Sequence, residues 1–331
     1  MSERPYLSYS RYLRERHGCP VYRVAVDAGF TCPNRGADRT RAGCAYCDPD
    51  GSRAPFLSRT EPTRIAACAG FEEQPIDAVS LERQVRDSIS FYQRTHGDGA
   101  FILYFQAYSN TNAPVSVLRR VYDTGLALAD FRGLNVATRP DCIDEEKADL
   151  LASYRDRGLE VWAEIGLQSG NDDTLMRIGR GHTVEEFQRA FGMLRSRGVK
   201  VAVHLIFGLP GEGWPEIERT MSGLAAMRPD GVKIHNLHVP RDTPLGRDYR
   251  KGELAAPCAP RHIEYVVAAL EMLPPNTVVM RLTCDTPEER LVAPRGFWPK
   301  ETFLSRLDQA MRERGARQGR RWEMAGAART R

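Results

Sequence analysis

Short β-rich runs alternate with helical stretches over most of this chain, and this alternation restricts the fold more than any other feature of the sequence. The candidate strands are residues 22–26, 101–106, 134–138, 160–166, 199–207 and 232–239. The candidate helices are residues 79–94, 115–130, 144–157, 184–197 and 215–227. Strand–helix alternation of this kind predicts a parallel α/β sheet, either open or curled into a barrel. Active sites in such folds lie at the carboxyl ends of the strands.

Three cysteines follow the first candidate strand, at Cys32, Cys44 and Cys47. Cys44 and Cys47 form a CxxC pair, which can place two thiolates on one metal ion or cluster face. The intervening loop of Gly, Asn, Asp and Arg can bend Cys32 back toward them. Iron–sulfur clusters are commonly held by four thiolates. Three grouped thiolates therefore indicate a cubane cluster with one iron left open, and an open metal position is where chemistry takes place.

A structural zinc site is the alternative interpretation of the same cysteines, because CxxC is also an element of zinc sites. Such a site takes four ligands, and no second CxxC or HxxxH pattern is present. His17, Cys19 or Asp48 would then complete the set. A disulfide is disfavoured, since no secretory signal segment is recognisable and the other cysteines are scattered. On these residues alone, cluster and zinc both stay open.

Composition indicates an ordinary soluble protein, because the 331 residues are 42% hydrophobic and 27% charged. This length allows one large domain plus an appendage. No apolar run approaches the ~20 residues that cross a bilayer, so no membrane association is expected. Eight cysteines without a targeting segment predict a reducing cytoplasm, where thiols stay available to metal. The cysteines expected to be ordinary free thiols are Cys19, Cys68, Cys142, Cys258 and Cys284.

The pattern changes after Pro240, which divides the chain into a core at 1–240, with 1–20 leading in, and a C-terminal extension at 241–331. The segments expected in the extension are a helix at 261–273, a seventh strand at 277–283 and a basic terminal helix at 300–314. A net charge of +4 is no strong argument for a polyanionic partner, but residues 306–331 hold eight arginines against three acids. We interpret this segment as a solvated helix and tail, with a nucleic-acid contact as the sharper alternative.

Polar residues follow the second and fourth candidate strands. Gln106, Ser109 and Asn110 offer amide and hydroxyl groups for the amino and carboxylate groups of a ligand. Arg180 lies twelve residues after Gln168, and its guanidinium could bind a carboxylate through two parallel hydrogen bonds. The simpler interpretations are an ordinary polar loop and an unremarkable surface arginine.

His235 and His238 lie on the sixth candidate strand and are the candidates for catalysis. Their spacing places them on opposite faces of a regular strand unless a bulge intervenes. One would then line the barrel interior while the other packs outside. A satisfied core histidine is the default for each, because histidine serves packing as well as proton transfer.

Taken together, these motifs resemble the radical S-adenosylmethionine (radical SAM) superfamily over residues 22–239. The usual cysteine motif of that superfamily is CxxxCxxC, whereas the first gap here is eleven residues. That spacing resembles one uncharacterised bacterial subgroup and its relatives near the catalytic subunit of the elongator complex. The further features of the subgroup fall at residues 104–112, 138–141, 164–169, 206–212, 234–239, 281–283 and 293–294. With these features, the resemblance favours the iron–sulfur cluster over zinc.

The resemblance implies an α/β fold, a partial (β/α)6 TIM-like barrel, with a [4Fe-4S] cluster on Cys32, Cys44 and Cys47. S-adenosylmethionine would bind the open iron, and one-electron reduction would yield methionine and a 5′-deoxyadenosyl radical that abstracts hydrogen from a substrate. An electron donor such as flavodoxin or ferredoxin is implied as a partner.

The resemblance also implies contacts to S-adenosylmethionine. The residues concerned are Gln106, Ser109, Asn110, Gln168, Arg180 and His204. Gln168 and Arg180 stand where the coproporphyrinogen-dehydrogenase-like branch places an amide and a guanidinium. The first three occupy the region of the superfamily's usual GGE motif, which is absent here. His204 stands where that branch often has an Asp for the ribose hydroxyls.

Three functional hypotheses follow. The first is a radical SAM enzyme that modifies a wobble-type uridine or another tRNA base, with tRNA as a partner; it rests on the elongator resemblance and the arginine-rich terminus. The second keeps the radical chemistry but acts on a small metabolite or a protein side chain. The third is a zinc-stabilised interaction module without enzymatic activity.

Overall fold

The computed structural model describes residues 4–36, 41–47, 78–284 and 286–329, so Asp48 and Cys68 lie outside the described residues. The strands are β1 (Val21–Val26), β2 (Ala100–Phe105), β3 (Phe131–Thr138), β4 (Glu160–Gln168), β5 (Lys200–Phe207), β6 (Gly231–Asn236), β7 (Val239–Pro240), β8 (Val278–Arg281) and β9 (Leu291–Ala293). The helices are α1 (Tyr9–His17), α2 (Ala78–His96), α3 (Val115–Leu126), α4 (Glu145–Asp156), α5 (Asp172–Arg177), α6 (Val184–Ser196), α7 (Trp214–Met227), α8 (Pro244–Arg250), α9 (Ala259–Met272), α10 (Lys300–Glu313) and α11 (Arg320–Arg329).

Seven of these strands form one parallel sheet in the order β1-β2-β3-β4-β5-β6-β8. Each of the first six strands pairs with the next one in that order, and the helices between them return the chain to the same edge. β7 and β9 form a separate antiparallel pair. The sheet confirms the predicted partial barrel. Its seventh strand, β8, comes from beyond residue 240, so the barrel sheet continues into the expected C-terminal extension.

Several boundaries differ from those read from the sequence. β3 begins at Phe131, three residues earlier than expected, β4 continues to Gln168, and β6 ends at Asn236. The sequence pattern missed α1, α5, α8 and α11, which are short or polar helices without a long apolar stripe.

Helix α1 closes the amino-terminal end of the barrel. Tyr9 and Leu13 from this helix pack against Trp162 of β4, with the rings of Tyr9 and Trp162 edge to face at 5.9 Å. The Ser8 side chain caps the start of α1, and Gly18 ends it in the left-handed conformation at φ 72°. With one end filled by this helix, a ligand can reach the interior from the carboxyl end.

Alternation along β4 decides what faces the barrel interior. Trp162, Glu164 and Gly166 share one face at successive depths, because side chains of a strand alternate between its faces. Trp162 lies in the apolar layer against α1, whereas Glu164 and Gly166 line the space above it. The outer face carries the main apolar core against the helices. Among the described residues, the helices lack the combination of length and apolar content that a membrane span needs.

Candidate functional site

A cavity of about 280 Å³ opens at the carboxyl ends of the parallel strands. Nine of the eleven residues predicted to form the site line this cavity: Cys32, Cys44, Cys47, Gln106, Gln168, Arg180, His204, His235 and His238. Ser109 and Asn110 are not part of the lining. The fold therefore brings most of the predicted residues together, although they are spread over two hundred positions of the chain.

Two arginines approach the sulfur atoms of Cys32 and Cys44. Arg139 Nη1 lies 3.8 Å from Cys32 Sγ and 3.9 Å from Cys44 Sγ, and Arg180 Nη1 lies 3.7 Å from Cys44 Sγ. Burial raises the pKa of the Cys44 thiol, but Arg180 and Arg139 outweigh this effect and hold the pKa below its ordinary value. Because the thiolate is the form that binds metal, this environment favours a ligand role for Cys44.

Arg35 contacts Cys47, but it does not outweigh burial, so the pKa of the Cys47 thiol stays above its ordinary value. Its Nη2 donates to Cys47 Sγ at 3.2 Å and to the backbone carbonyl of Cys47 at 3.1 Å. Burial raises the pKa of the Cys47 thiol, and the Arg35 guanidinium opposes this effect. Gly43, at φ 76°, leaves room for the arginine, since a Cβ at this position would lie 2.9 Å from Arg35 Nε.

Asn34 joins the cysteine loop to the loop that follows α5. Its Nδ2 donates to Cys44 Sγ at 3.2 Å and to the carbonyl of Gly179 at 2.8 Å. The backbone N–H of Ala45 donates to the carbonyl of Ile178 at 2.8 Å. The two loops therefore hold each other in place at the mouth of the barrel.

The donor set fits an iron–sulfur cluster better than a zinc ion. Three thiolates give a cluster site negative charge, and the arginines around the sulfurs offset it. Of the three residues considered as a fourth zinc ligand, Asp48 lies outside the described residues. His17 contacts Glu160 at the amino end of β4, 3.4 Å away, and Cys19 precedes β1 at that same end, so both are at the end of the barrel opposite the cysteines. Within the described ranges, no three His, Cys, Asp or Glu side chains are arranged to hold a single metal ion.

A distortion at the end of β4 brings Gln168 and Arg180 into the cavity. The register with β5 shifts between Gly166 and Gln168, and Gln168 has φ 73°, a strained value for a residue with a side chain. Arg180 donates to the carbonyl of Gly166 at 2.8 Å, while its buried Nε has no hydrogen-bond partner among the described residues. Glycine at residue 166 lets the side-chain ends of Gln168 and Arg180 come close to the strand, since a Cβ there would lie 2.4 Å from Gln168 Nε2 and 2.5 Å from Arg180 Nη2. A buried donor left unpaired beside the thiols fits a bound carboxylate.

Ser109 and Asn110 support the strands instead of facing a ligand. Both are fully buried. Asn110 Nδ2 donates to the carbonyls of Phe105 and Ala137 at 3.1 and 2.9 Å, and Ser109 Oγ lies 3.1 Å from Thr138 Oγ1. Of the three polar residues expected after β2, only Gln106 lines the cavity. We therefore do not propose that Ser109 or Asn110 contacts S-adenosylmethionine.

A charged cluster around Glu164 forms the floor of the cavity. Tyr104 Oη donates to Glu164 Oε2 at 2.6 Å, His204 Nε2 lies 3.1 Å from the same oxygen, and Lys233 Nζ donates to it. Burial raises the pKa of Glu164, but Lys233, His204 and Arg23 outweigh it and hold the pKa of this carboxyl well below its usual range. Burial lowers the pKa of Lys233 to about 7, against the opposing effect of Glu164. His204, which was expected near the ribose hydroxyls of S-adenosylmethionine, therefore contacts the carboxylate of Glu164.

The expectation that His235 and His238 point to opposite sides is wrong. Both line the cavity, because β6 ends at Asn236 and the regular alternation stops there. His238 Nδ1 lies 2.6 Å from Thr286 Oγ1 and 3.7 Å from the sulfur of Cys284. Burial lowers the pKa of His238 to about 4. Cys284 also lines the cavity, although the sequence suggested only an ordinary thiol.

Several polar residues of the cavity were not predicted to form the site, although some of them lie in segments that carry the family resemblance. They are Arg35, Tyr104, Arg139, Glu164, Lys233, Arg281 and Cys284. A signal was available for some of them. Polar residues at alternate positions of otherwise apolar strands, such as Glu164 in β4 and Lys233 in β6, indicate a face that looks into a polar cavity. Nothing in the local pattern indicated that Arg139 would reach the cysteines.

Comparison with known proteins agrees with this geometry. The family model of the Radical SAM superfamily matches residues 32–223, and that of the Radical_SAM C-terminal domain matches residues 229–313. The uncharacterized protein YtqA of Bacillus subtilis is 34% identical over 319 residues, which cover 96% of this chain and 93% of that protein.

The elongator resemblance covers a smaller part of the chain. Elongator complex protein 3 of Homo sapiens is 32% identical over 162 residues, which are 47% of this chain and 28% of that protein. The solved structure of the Elp3 protein from the archaeon Methanocaldococcus infernus superposes with a TM-score of 0.64 at 21% identity. It covers 72% of this chain and 60% of that one, and it shows a shared fold.

Proposed function

The chain belongs to the radical SAM superfamily and is an enzyme of the class that uses a [4Fe-4S] cluster and S-adenosylmethionine, and we propose that Cys32, Cys44 and Cys47 hold that cluster. One observation carries the proposal: three thiols line a single cavity at the mouth of the barrel, each within hydrogen-bonding distance of an arginine. When bound, the two cofactors supply a one-electron cleavage that yields methionine and a 5′-deoxyadenosyl radical, which abstracts hydrogen from a substrate.

Arg180 and Gln168 are proposed to hold S-adenosylmethionine. The unpaired Nε of Arg180 faces the cavity beside Cys44 and can donate to the methionine carboxylate. Gln168 presents its amide from the strained end of β4. Gln106 stays a candidate for binding the amino group of S-adenosylmethionine. His204 stays a candidate for binding its ribose, which requires the histidine to break its contact with Glu164.

The first test is the cluster itself. Anaerobic reconstitution should give a brown protein with about four irons per chain that cleaves S-adenosylmethionine under reducing conditions. Cys32→Ala, Cys44→Ala and Cys47→Ala should each reduce this cleavage to background, because a cluster with two thiolate ligands is not retained.

Cys19→Ala and Cys258→Ala are the matched controls and should keep both iron and activity. Cys19 lies at the opposite end of the barrel, and Cys258 is exposed. Full turnover in any variant of the trio would contradict the assignment. A colourless protein with one zinc ion would favour the interaction module instead.

For the substrate, we propose a base of tRNA, a wobble-type uridine by resemblance to the elongator subunit. The support is the sequence similarity to Elongator complex protein 3. The arginine-rich terminus adds no support, because four of its arginines are paired with glutamates: Arg314 with Glu264, Arg317 with Glu323, Arg320 with Glu271 and Arg321 with Glu218. A base would have to leave its stack to reach the cavity, as other enzymes that modify bases require.

Comparison of modified nucleosides between a deletion strain and its parent tests this substrate. One modified nucleoside should be lost in the deletion strain, and the wild-type chain should restore it while Cys44→Ala should not. Filter binding of bulk tRNA should fall steeply with salt, because phosphate contacts release counterions. Absence of binding at low salt would favour a small metabolite or a protein side chain.

Radical SAM enzymes need an electron donor, and we propose a flavodoxin or ferredoxin for this one. A reducing cytoplasm is the proposed location, since it keeps the cysteines of the trio as free thiols before the cluster is inserted.

A further inference from the structure

We propose that the side of the cavity formed by β6 and β8 is a subsite for an anionic group of the substrate, a carboxylate or a phosphate, with Arg281 as its principal ligand. The inference rests on the proposed function, because it concerns the substrate of the same cavity. It goes beyond the sites proposed for the cluster and S-adenosylmethionine, because it gives a role to the side chains of β6 and β8, which neither of those sites uses.

Three basic side chains stand in a row across β5, β6 and β8. In the parallel register, the Cα of His204 pairs with that of Lys233, and the Cα of Lys233 pairs with that of Arg281. All three residues line the cavity. Paired positions of neighbouring strands present their side chains to the same face, so this row is a wall of nitrogen-bearing side chains in which Arg281 and Lys233 are neighbours.

The cavity lining holds more positively charged than negatively charged side chains. Its described lining includes one carboxylate, Glu164, and five arginines or lysines: Arg35, Arg139, Arg180, Lys233 and Arg281. The first three lie against the cysteine sulfurs, and Lys233 contacts Glu164. Arg281 contacts neither group, and within the described part of the chain no carboxylate forms an ion pair with it. A partly buried cation without a counter-charge is costly, and an anionic ligand removes that cost.

Two further polar groups of the cavity lining, both on the β6 side, have atoms without partners among the described residues. Asn236 is 1% exposed, and its Nδ2 makes no hydrogen bond, while its Oδ1 accepts from Thr283 Oγ1 and from the backbone N–H of Cys284, each at 3.0 Å. These bonds fix the amide so that the oxygen is occupied and the nitrogen stays available. The Nε2 of His235 is unpaired in the same way. A group with several acceptor oxygens would satisfy these atoms together with Arg281.

The carboxylate of S-adenosylmethionine is a poorer match for this wall. It belongs near the cluster, where Arg180 lies 3.7 Å from Cys44 Sγ and has an unpaired Nε of its own. Arg281 makes no such contact with the sulfurs. Two separate guanidinium groups in one cavity therefore indicate two separate anions, one from the cofactor and one from the substrate. The planar fork of Arg281 suits two oxygens of a carboxylate or a phosphate.

The test compares cluster-loaded wild-type enzyme with Arg281→Gln, using inorganic phosphate and acetate as probes. Calorimetric titration in the presence of S-adenosylmethionine should show binding of at least one probe to the wild-type enzyme. Arg281→Gln should weaken it at least tenfold, because a charge-assisted bond is lost. Arg281→Lys should recover part of the affinity. Whichever probe binds identifies the anion as a phosphate or a carboxylate.

Arg189→Gln is the matched control, since it removes the same charge from an exposed position of α6 and should leave anion binding unchanged. Cluster absorption of Arg281→Gln should equal that of the wild type, which separates this inference from the proposed cluster site. Equal anion binding by Arg281→Gln and the wild type would overturn it. Binding of neither probe by the wild type would also overturn it. So would a loss of affinity for S-adenosylmethionine in Arg281→Gln that is as large as its loss of affinity for the anion.

Discussion

At the scale of single residues, Arg180 shows how far surroundings define a side chain. In the sequence it is one arginine in a loop, whereas in the structure it is 6% exposed and lies between Gly166 and Cys44. Burial of a guanidinium is costly unless its donors are used. One donor binds the Gly166 carbonyl, another approaches a thiol, and the Nε stays unpaired among the described residues. This combination is the basis of our proposal that Arg180 binds the carboxylate of S-adenosylmethionine.

We expect Arg180→Ala to weaken the binding of S-adenosylmethionine by about tenfold or more, since a buried hydrogen bond to a charged group contributes about 1.5–3 kcal/mol. The cluster should stay, because its proposed ligands are unchanged. Anaerobic equilibrium dialysis measures the affinity, and visible absorption measures the cluster. The control is Arg177→Ala, an exposed arginine at the end of the preceding helix. Unaltered affinity in Arg180→Ala would remove the residue from the cofactor site.

At the scale of elements, strand β8 decides where the barrel ends. It pairs with β6 and brings Arg281 beside Lys233, while the helix before it, α9, packs its apolar side into the main core. Glycine positions are also decided at this scale. Gly208, at φ 91°, lies close to Pro257, because a Cβ at this position would be 2.3 Å from Pro257 Cγ.

A chain cut after residue 257 should fail to fold. It would lose α9 and β8, expose the hydrogen-bonding edge of β6, and remove Val266 and Leu270 of α9 from the main core, which would uncover the apolar residues packed against them. Circular dichroism and urea titration, with the full chain as control, measure this outcome. A cooperative unfolding transition in the truncated chain would show that the first six strands are sufficient for folding.

At the scale of the whole molecule, burial of histidine makes stability sensitive to acid. Burial lowers the pKa of five of the seven histidines: His182, His204, His235, His238 and His262. His262 is fully buried behind the sheet, and its Nε2 lies 2.9 Å from the carbonyl oxygen of Leu282. The folded protein therefore holds these rings neutral at a pH where the unfolded chain binds protons.

The pKa of His262 falls from 6.5 to about 4 on folding, so the unfolded chain binds more protons between these values. The free energy of unfolding should consequently decrease as the pH falls through this window, by up to about 1.4 kcal/mol per pH unit for each such histidine. His262→Gln keeps a donor for Leu282 but cannot titrate, so its acid limb should be shallower. Urea titrations of both proteins across the window measure the slopes, and parallel curves would contradict the expectation.

Much of the fold could be predicted because its signals are local. Each β-rich run between helical stretches became a strand of the parallel sheet, and Thr183 with Glu186 forms the capping box that starts α6. Short polar helices such as α1 were missed, since one or two turns without an apolar stripe carry no periodic signal. The end of β6 was misplaced because residues 237–239 continue the same apolar pattern after the pairing has stopped.

The spacing of Cys32, Cys44 and Cys47 was enough to predict a metal or cluster site, because three thiols close in the chain can meet in any fold that allows the loop to bend. The family resemblance was needed to favour an iron–sulfur cluster over zinc. The rest of the cavity depended on long-range contacts. Arg139 reaches the sulfurs, Ser109 turns away to bond Thr138, and Arg281 lines the cavity without an ion pair to a described carboxylate only once seven strands are side by side. Residues close in the sequence determined the cysteine site. The tertiary structure alone decided which charged side chains pair, because that depends on which distant strands lie side by side.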